Sequence, residues 1–225
     1  MNPNENAIIH NIMKKPIQQF AKIQTLQLSR LERLADVIYA LVLWRVFTLI
    51  PKPVSADGTW HTFGEYMGEN AFTLITVVIG VMFVIIYWLQ SNTLLGNLEK
   101  SDSRHTMLSI IQLFAVLLFL MSLNLGVVLG GSGFTRVLES ITAALAGLSA
   151  AFAWRYGIKK RRLIQPDVND FDARKILDGV LAEPLTALMT IPFAFAGPWL
   201  WEASWLLLIP TNMVLKRIRK KEAKK

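Results

Sequence analysis

Apolar positions in this chain are not spaced as one face of a soluble helix or strand; they run on without a break. Residues 71–90 and 107–129 each pass about 20 positions without a charged side chain, the length a helix needs to cross a bilayer. Four further stretches, 34–50, 134–154, 176–196 and 199–215, have the same apolar character but carry ionisable groups: Asp36, Arg45, Arg136, Glu139, Asp178, Glu183 and Glu202. The last two are separated only by Gly197 and Pro198, which predicts a tight helical hairpin. The pattern predicts an all-α membrane protein with six transmembrane helices.

Composition agrees. Of 225 residues, 53% are hydrophobic and 18% charged, with mean hydropathy +0.40, where a soluble domain carries about 25% charged residues. Without cysteine there can be no disulfide, thiolate nucleophile or Cys-based metal centre. The net charge of +8 suggests nucleic acid only until the charges are placed. All but three of the 24 Lys and Arg residues fall before residue 34, in the connections 91–106 and 155–175, or after residue 215; Arg45, Lys52 and Arg136 are the exceptions. The connection 51–70 instead holds Asp57, Glu65 and Glu69. This asymmetry predicts both termini on the cytoplasmic side. The runs Lys159-Lys160-Arg161-Arg162 and Lys216-Arg217-Ile218-Arg219-Lys220-Lys221 then need no partner but anionic lipid headgroups, and nucleic acid is excluded. Trp88, Trp154, Trp199 and Trp201 lie near span ends, as interfacial anchors should.

Three regions are expected: a cytoplasmic amphipathic segment 1–33, a six-helix domain 34–215 and a basic cytoplasmic tail 216–225. The first lacks the continuous apolar core of a signal peptide, because Ile12, Ile17, Phe20, Ile23 and Leu26 are scattered among Lys and Gln. The halves show no inverted repeat, and Gly130-Gly131-Ser132-Gly133 reads as an outer loop rather than a phosphate cradle. Metalloprotease, nucleophile-elbow and P-loop motifs are absent, as is the Thr-Val-Gly-Tyr-Gly filter. His10, His61 and His105 have no carboxylate at metal-pair spacing. No enzyme, cofactor or metal site is expected.

Intramembrane ionisable residues are therefore the candidate chemistry. Asp36 and Arg45 are nine positions apart; at about 100° per residue they face opposite sides of one helix. One face meets helices of the same subunit, and the other meets a second subunit, a water-filled cavity or the outer interface. Arg45 can also snorkel to the outer headgroups. Asp36 suits structural pairing with a loop arginine, Glu139 and Glu202 suit the dipole at helix starts, and Glu183, followed by Pro184, suits either a pair with Arg45 or a kink.

The segment Arg30-Leu-Glu-Arg-Leu34-Ala35-Asp36, its apolar helix and the exit Ile50-Pro51-Lys52-Pro53 resemble the transmembrane protein 175 family of potassium channels. That family's first helix opens Arg-x-x-x-Phe-Ser-Asp, and Trp88, the short loop before the third helix and the Pro-bearing fifth helix follow its order. The resemblance implies a homotetramer with the first helix lining a central pore and potassium selected by its side chains. Arg30 and Asp36 would belong to a structural hydrogen-bond network. The gate register falls on Leu41, Arg45 and Thr48, with Trp44 beside Arg45.

The departures have physical consequences. Leu34 and Ala35 stand for Phe and Ser, Val37 follows, Ser91 and Asn92 replace histidines, and Arg45 occupies a constriction position that is apolar in the family. Unit charges about 6 Å apart repel by about 3 kcal/mol at an effective dielectric of about 20, so four axial guanidiniums would suppress cation flow. Three readings follow: a potassium or cation channel with Arg45 off the axis; a relative with a remodelled pore, anion-conducting or closed; and a membrane scaffold or accessory protein in which Arg45 and Glu183 pair.

Overall fold

The computed structural model describes the backbone over residues 3–52 and 59–222, with side chains over 19–52, 59 and 61–218. Asp57, the amphipathic pattern before residue 19 and the end of the tail lie outside these. Among the described residues, eight α-helices follow one another: α1 (Pro3–Phe47), α2 (Trp60–Glu69), α3 (Ala71–Gly96), α4 (Ser103–Val128), α5 (Gly133–Ile158), α6 (Asp170–Thr190), α7 (Pro198–Ser204) and α8 (Leu208–Glu222). Among the described residues there is no strand, only one isolated antiparallel bridge between Leu98 and Ile164.

Among the described residues four helices, α3 to α6, are long and apolar enough to cross a membrane, and their outward surfaces are apolar too. On α3, Val77, Gly80, Val84, Tyr87, Ser91 and Leu94 face the bundle at three- and four-residue spacing, while Val78, Met82, Ile85 and Leu89 are exposed. Apolar residues on both faces mark a helix solvated by lipid. The chain is an integral membrane protein.

The first and last predicted spans take different forms. Residues 34–47 are the end of one unbroken 45-residue helix, so the boundary at residue 33 coincides with no break. The sixth span divides into α7, a 3₁₀ turn at Trp205–Leu207 and α8. Pro210 has no N–H for the carbonyl of Leu206, which removes a helical bond where the break occurs. The hairpin at Gly197 is present: its φ of 124° suits glycine, and Pro198 opens α7.

At the centre lies α5, which packs on α4 and α6. Its buried face is made of small residues, among them Ala143, Ala146, Gly147, Ala150 and Ala153, which let helix backbones approach closely in lipid. A Cβ on Gly147 would collide with the Glu183 carboxylate and the Pro184 ring of α6. Helix α6 continues through Pro184.

Loops lock both ends of the bundle. At the lysine- and arginine-rich end, Glu99 N–H donates to Leu163 O (2.9 Å), Gln165 N–H to Asn97 O (3.1 Å) and Ser101 N–H to Gln24 O of α1 (3.2 Å). Asp102 caps α4 by accepting from His105 N–H and accepts from Tyr156 Oη of α5 at 2.7 Å. Here the basic run departs from expectation. Arg161 donates to Asp170 and to the carbonyls of Gln165, Pro166 and Val168, and Arg162 bonds and stacks on Tyr156. These guanidiniums close a loop that has too few N–H partners of its own, instead of waiting for lipid.

Two tryptophans also change role. Trp154 and Trp201 are buried and donate to Ala173 O (2.9 Å) and Ser140 Oγ (3.1 Å); a buried indole N–H needs such a partner. Trp199 is exposed, as an anchor would be.

Gly147→Leu should lower the thermal midpoint of the detergent-solubilised protein through overpacking worth about 1–3 kcal/mol. Gly179→Ala, where a Cβ meets open space, should leave it unchanged or raised. A second prediction concerns acid. Burial opposes the charge on Asp102, but the hydrogen bonds from Tyr156 and the His105 amide outweigh it and hold the carboxyl below its ordinary range. Its stabilisation is complete above the ordinary aspartate pKa of about 4 and is lost as pH falls through the lower folded value. Tyr156→Phe should flatten the midpoint's dependence on pH over that window.

Candidate functional site

Helix α1 has two faces. Leu31, Ala35, Tyr39, Val42 and Val46 are buried against the chain's own bundle, where α3 and α4 pack. Half a turn round, Leu34, Val37, Leu41 and Trp44 are exposed, Leu41 at 61% and Trp44 at 71%, and Thr48 follows, also exposed. The three- and four-residue spacing of this second stripe is the seam by which helices associate with one another.

Arg45 sits between these faces. Trp44 before it is the most exposed of the stripe and Val46 after it is 0% exposed, so at about 100° per residue the guanidinium projects from the flank. It lies in the last turn of α1, where a cation suits the helix dipole. Its Nη1 donates to Thr48 Oγ1 at 3.0 Å, and Thr48 Oγ1 donates to Arg45 O at 2.6 Å.

Asp36 Oδ1 accepts from Trp88 Nε1 of α3 at 3.1 Å. Arg30 is exposed and forms no ion pair among the described residues. Trp88 is thus a tie between α1 and α3.

Glu183 does not pair with Arg45. It is 3% exposed, and its Oε1 accepts from Tyr87 Oη, which also reaches Ala143 O at 3.1 Å. Oε2 lies against Gly147 without a hydrogen-bond partner. The hydroxyl of Tyr39 on α1 is buried as well, facing Ser91 and Gln112. Neither tyrosine stands out in the sequence by charge; the usable signal is a phenol inside an apolar span, whose O–H needs a polar neighbour.

At the opposite end Arg136, also buried, donates from Nε to Ala194 O at 2.8 Å and from Nη1 to Gly131 O. It thereby ties the α4–α5 loop to the turn after α6. Glu139, past the first turn of α5, lies against Gly126 of α4 within electrostatic reach of Arg136 and Glu202. Glu139 thus stands beyond the first turn of α5, the reach of the helix dipole. Groups of three or more metal-ligating side chains do not occur among the described residues.

Tyr87→Phe should destabilise the protein by about 1–3 kcal/mol, the cost of leaving a buried carboxylate oxygen unpaired. A double-mutant cycle with Glu183→Gln should show coupling, whereas Arg45→Ala and Glu183→Ala should be additive within about 0.5 kcal/mol. Denaturant unfolding in detergent reads both.

No family model matches the sequence, and no curated protein matches it. Solved structures do match. A variant of the potassium channel MtTMEM175, crystallised with a nanobody–MBP fusion protein, aligns with TM-score 0.57 and 18% identity over 85% of this chain and 93% of the other. A lysosomal potassium-selective channel TMEM175 homolog from Chamaesiphon minutus aligns with TM-score 0.63 and 14% identity over 84% and 97%. The helices set out above therefore have the fold of the TMEM175 potassium-channel structures.

Proposed function

We propose that this chain is the subunit of a passive potassium or cation channel of the transmembrane protein 175 type, with four copies meeting along α1 around a central pore. The observation that carries the reading is the second, exposed stripe of α1 at Leu34, Val37, Leu41, Trp44 and Thr48. It is long, continuous and turned away from the chain's own core, where a neighbouring α1 can meet it. The shared fold with potassium-channel structures supports the same reading. Six crossings, with α1 and the broken α7–α8 pair as the outer two, bring both termini and the basic loops to the cytoplasmic side, consistent with the cation bias. In a prokaryotic cell this would be the inner membrane.

In this arrangement Leu41 forms an apolar constriction and Thr48 lies beyond it at the outer mouth. Arg45, on the flank and bonded to Thr48, stands off the axis, which relieves the charge repulsion that an axial ring would impose on potassium. Arg30 and Asp36 act structurally, Asp36 through Trp88.

The exposure of Arg45 favours one second reading, a pore remade for anions, since rings of arginine serve anion pathways. Flux into proteoliposomes separates the two. The expected result is a tetramer that passes potassium in preference to sodium and chloride, with flux changed by Leu41→Asn and changed little by Arg45→Leu. Chloride flux that Arg45→Leu abolishes would establish the second reading. A monomer or dimer without flux would leave the scaffold reading.

A further inference from the structure

Between α3, α6 and α8 lies an open groove of about 300 Å³ that the channel reading does not use. Ile86 and Leu94 of α3, Ile176 and Val180 of α6 and Leu208 of α8 form its apolar walls. Gly179 lines it too, and a Cβ there would meet nothing within 4 Å, so the missing side chain keeps the groove wide. Glu183 lines it as well, with its carboxylate engaged elsewhere, Oε1 by Tyr87 and Oε2 against Gly147. Gln90, whose Oε1 is buried without a partner, supplies a polar group along its wall.

The groove opens toward the basic end of the bundle. Lys175 directly precedes Ile176, and Lys216 follows Asn212 by one turn on the groove side of α8. Both are exposed, and neither has an ion pair or hydrogen bond among the described residues. This contrasts with Arg161 and Arg162, which the protein itself occupies. Asp172 stands on the same side of α6, and its carboxylate already accepts from the Asn169 amide at 2.7 Å. An apolar trough at membrane depth, rimmed by two exposed lysines, complements a molecule with an acyl chain and an anionic head.

We propose that this groove is a binding site for one anionic phospholipid, its acyl chain along Gly179 and its phosphate between Lys175 and Lys216. The site depends on the membrane assignment and not on conduction, so it stands or falls separately from the channel reading.

The test measures the thermal midpoint of the full-length protein in detergent with added phosphatidylglycerol, phosphatidylcholine of the same chains, or chain-free glycerol phosphate. Phosphatidylglycerol should raise the midpoint above the other two. Gly179→Leu, which fills the groove, and the Lys175→Gln/Lys216→Gln pair should each remove at least about half of that rise, with midpoints in phosphatidylcholine unchanged. Arg174→Gln removes a neighbouring cation that the helical rotation places on the opposite side of α6, and it should retain the full rise. Equal loss in Arg174→Gln, a rise that survives Gly179→Leu, or an equal effect of glycerol phosphate would each overturn the proposal. So would Gly179→Leu failing to fold, because the open space at that position is part of the argument.

Discussion

At Gly147 the backbone of α5 comes close enough to α6 for the Glu183 carboxylate and the Pro184 ring to occupy space that any Cβ would take. That contact sets the spacing of the central helices. Lipid provides no hydrophobic drive for one apolar helix to leave it for another, so close van der Waals approach must do the work. The alanine face of α5 serves α4 and α6 in this way, and it brings Glu183 to Tyr87 of α3. The position of α1 follows in turn, through its packing on α3 and α4 and the Asp36–Trp88 bond.

With the core arranged around α5, the remaining polar groups sort by depth. Several buried ones are answered inside the protein: Arg136 by carbonyls of two connecting segments, Trp154 and Trp201 by acceptors on neighbouring helices. In a medium without water each such group would otherwise cost several kcal/mol. At the basic end the rule relaxes. Arg161 and Arg162 are drawn into loop closure, whereas Lys175 and Lys216 stay exposed. The same net charge thus divides into a part used inside the protein and a part left at its surface.

The apolar runs at 71–90 and 107–129 were legible because a bilayer imposes a length and a composition on any chain that crosses it. The hairpin at Gly197-Pro198 was legible because few other residues tolerate its geometry. Arg45 and Glu183 suggest a pair in the sequence, but the Glu183 carboxylate belongs to Tyr87. Opposite charges in two spans suggest a pair, yet α1 and α6 bring those side chains to different depths and faces. Trp154 looked like an anchor because it ends a span; which side of α5 is covered by α6 is invisible in a linear pattern.

By itself, the sequence determined that this is a helical membrane protein, which end of the bundle is basic, and which residues are costly enough in lipid to need an explanation. Those properties are local: they depend on runs of side chains and the energy of transferring them out of water. The tertiary structure decided the rest, including the two faces of α1, the flank position of Arg45, the Tyr87–Glu183 bond and the groove beside Gly179. Each of these depends on which helix covers which face, and that is settled by volume and by the geometry of single hydrogen bonds between residues far apart in the chain.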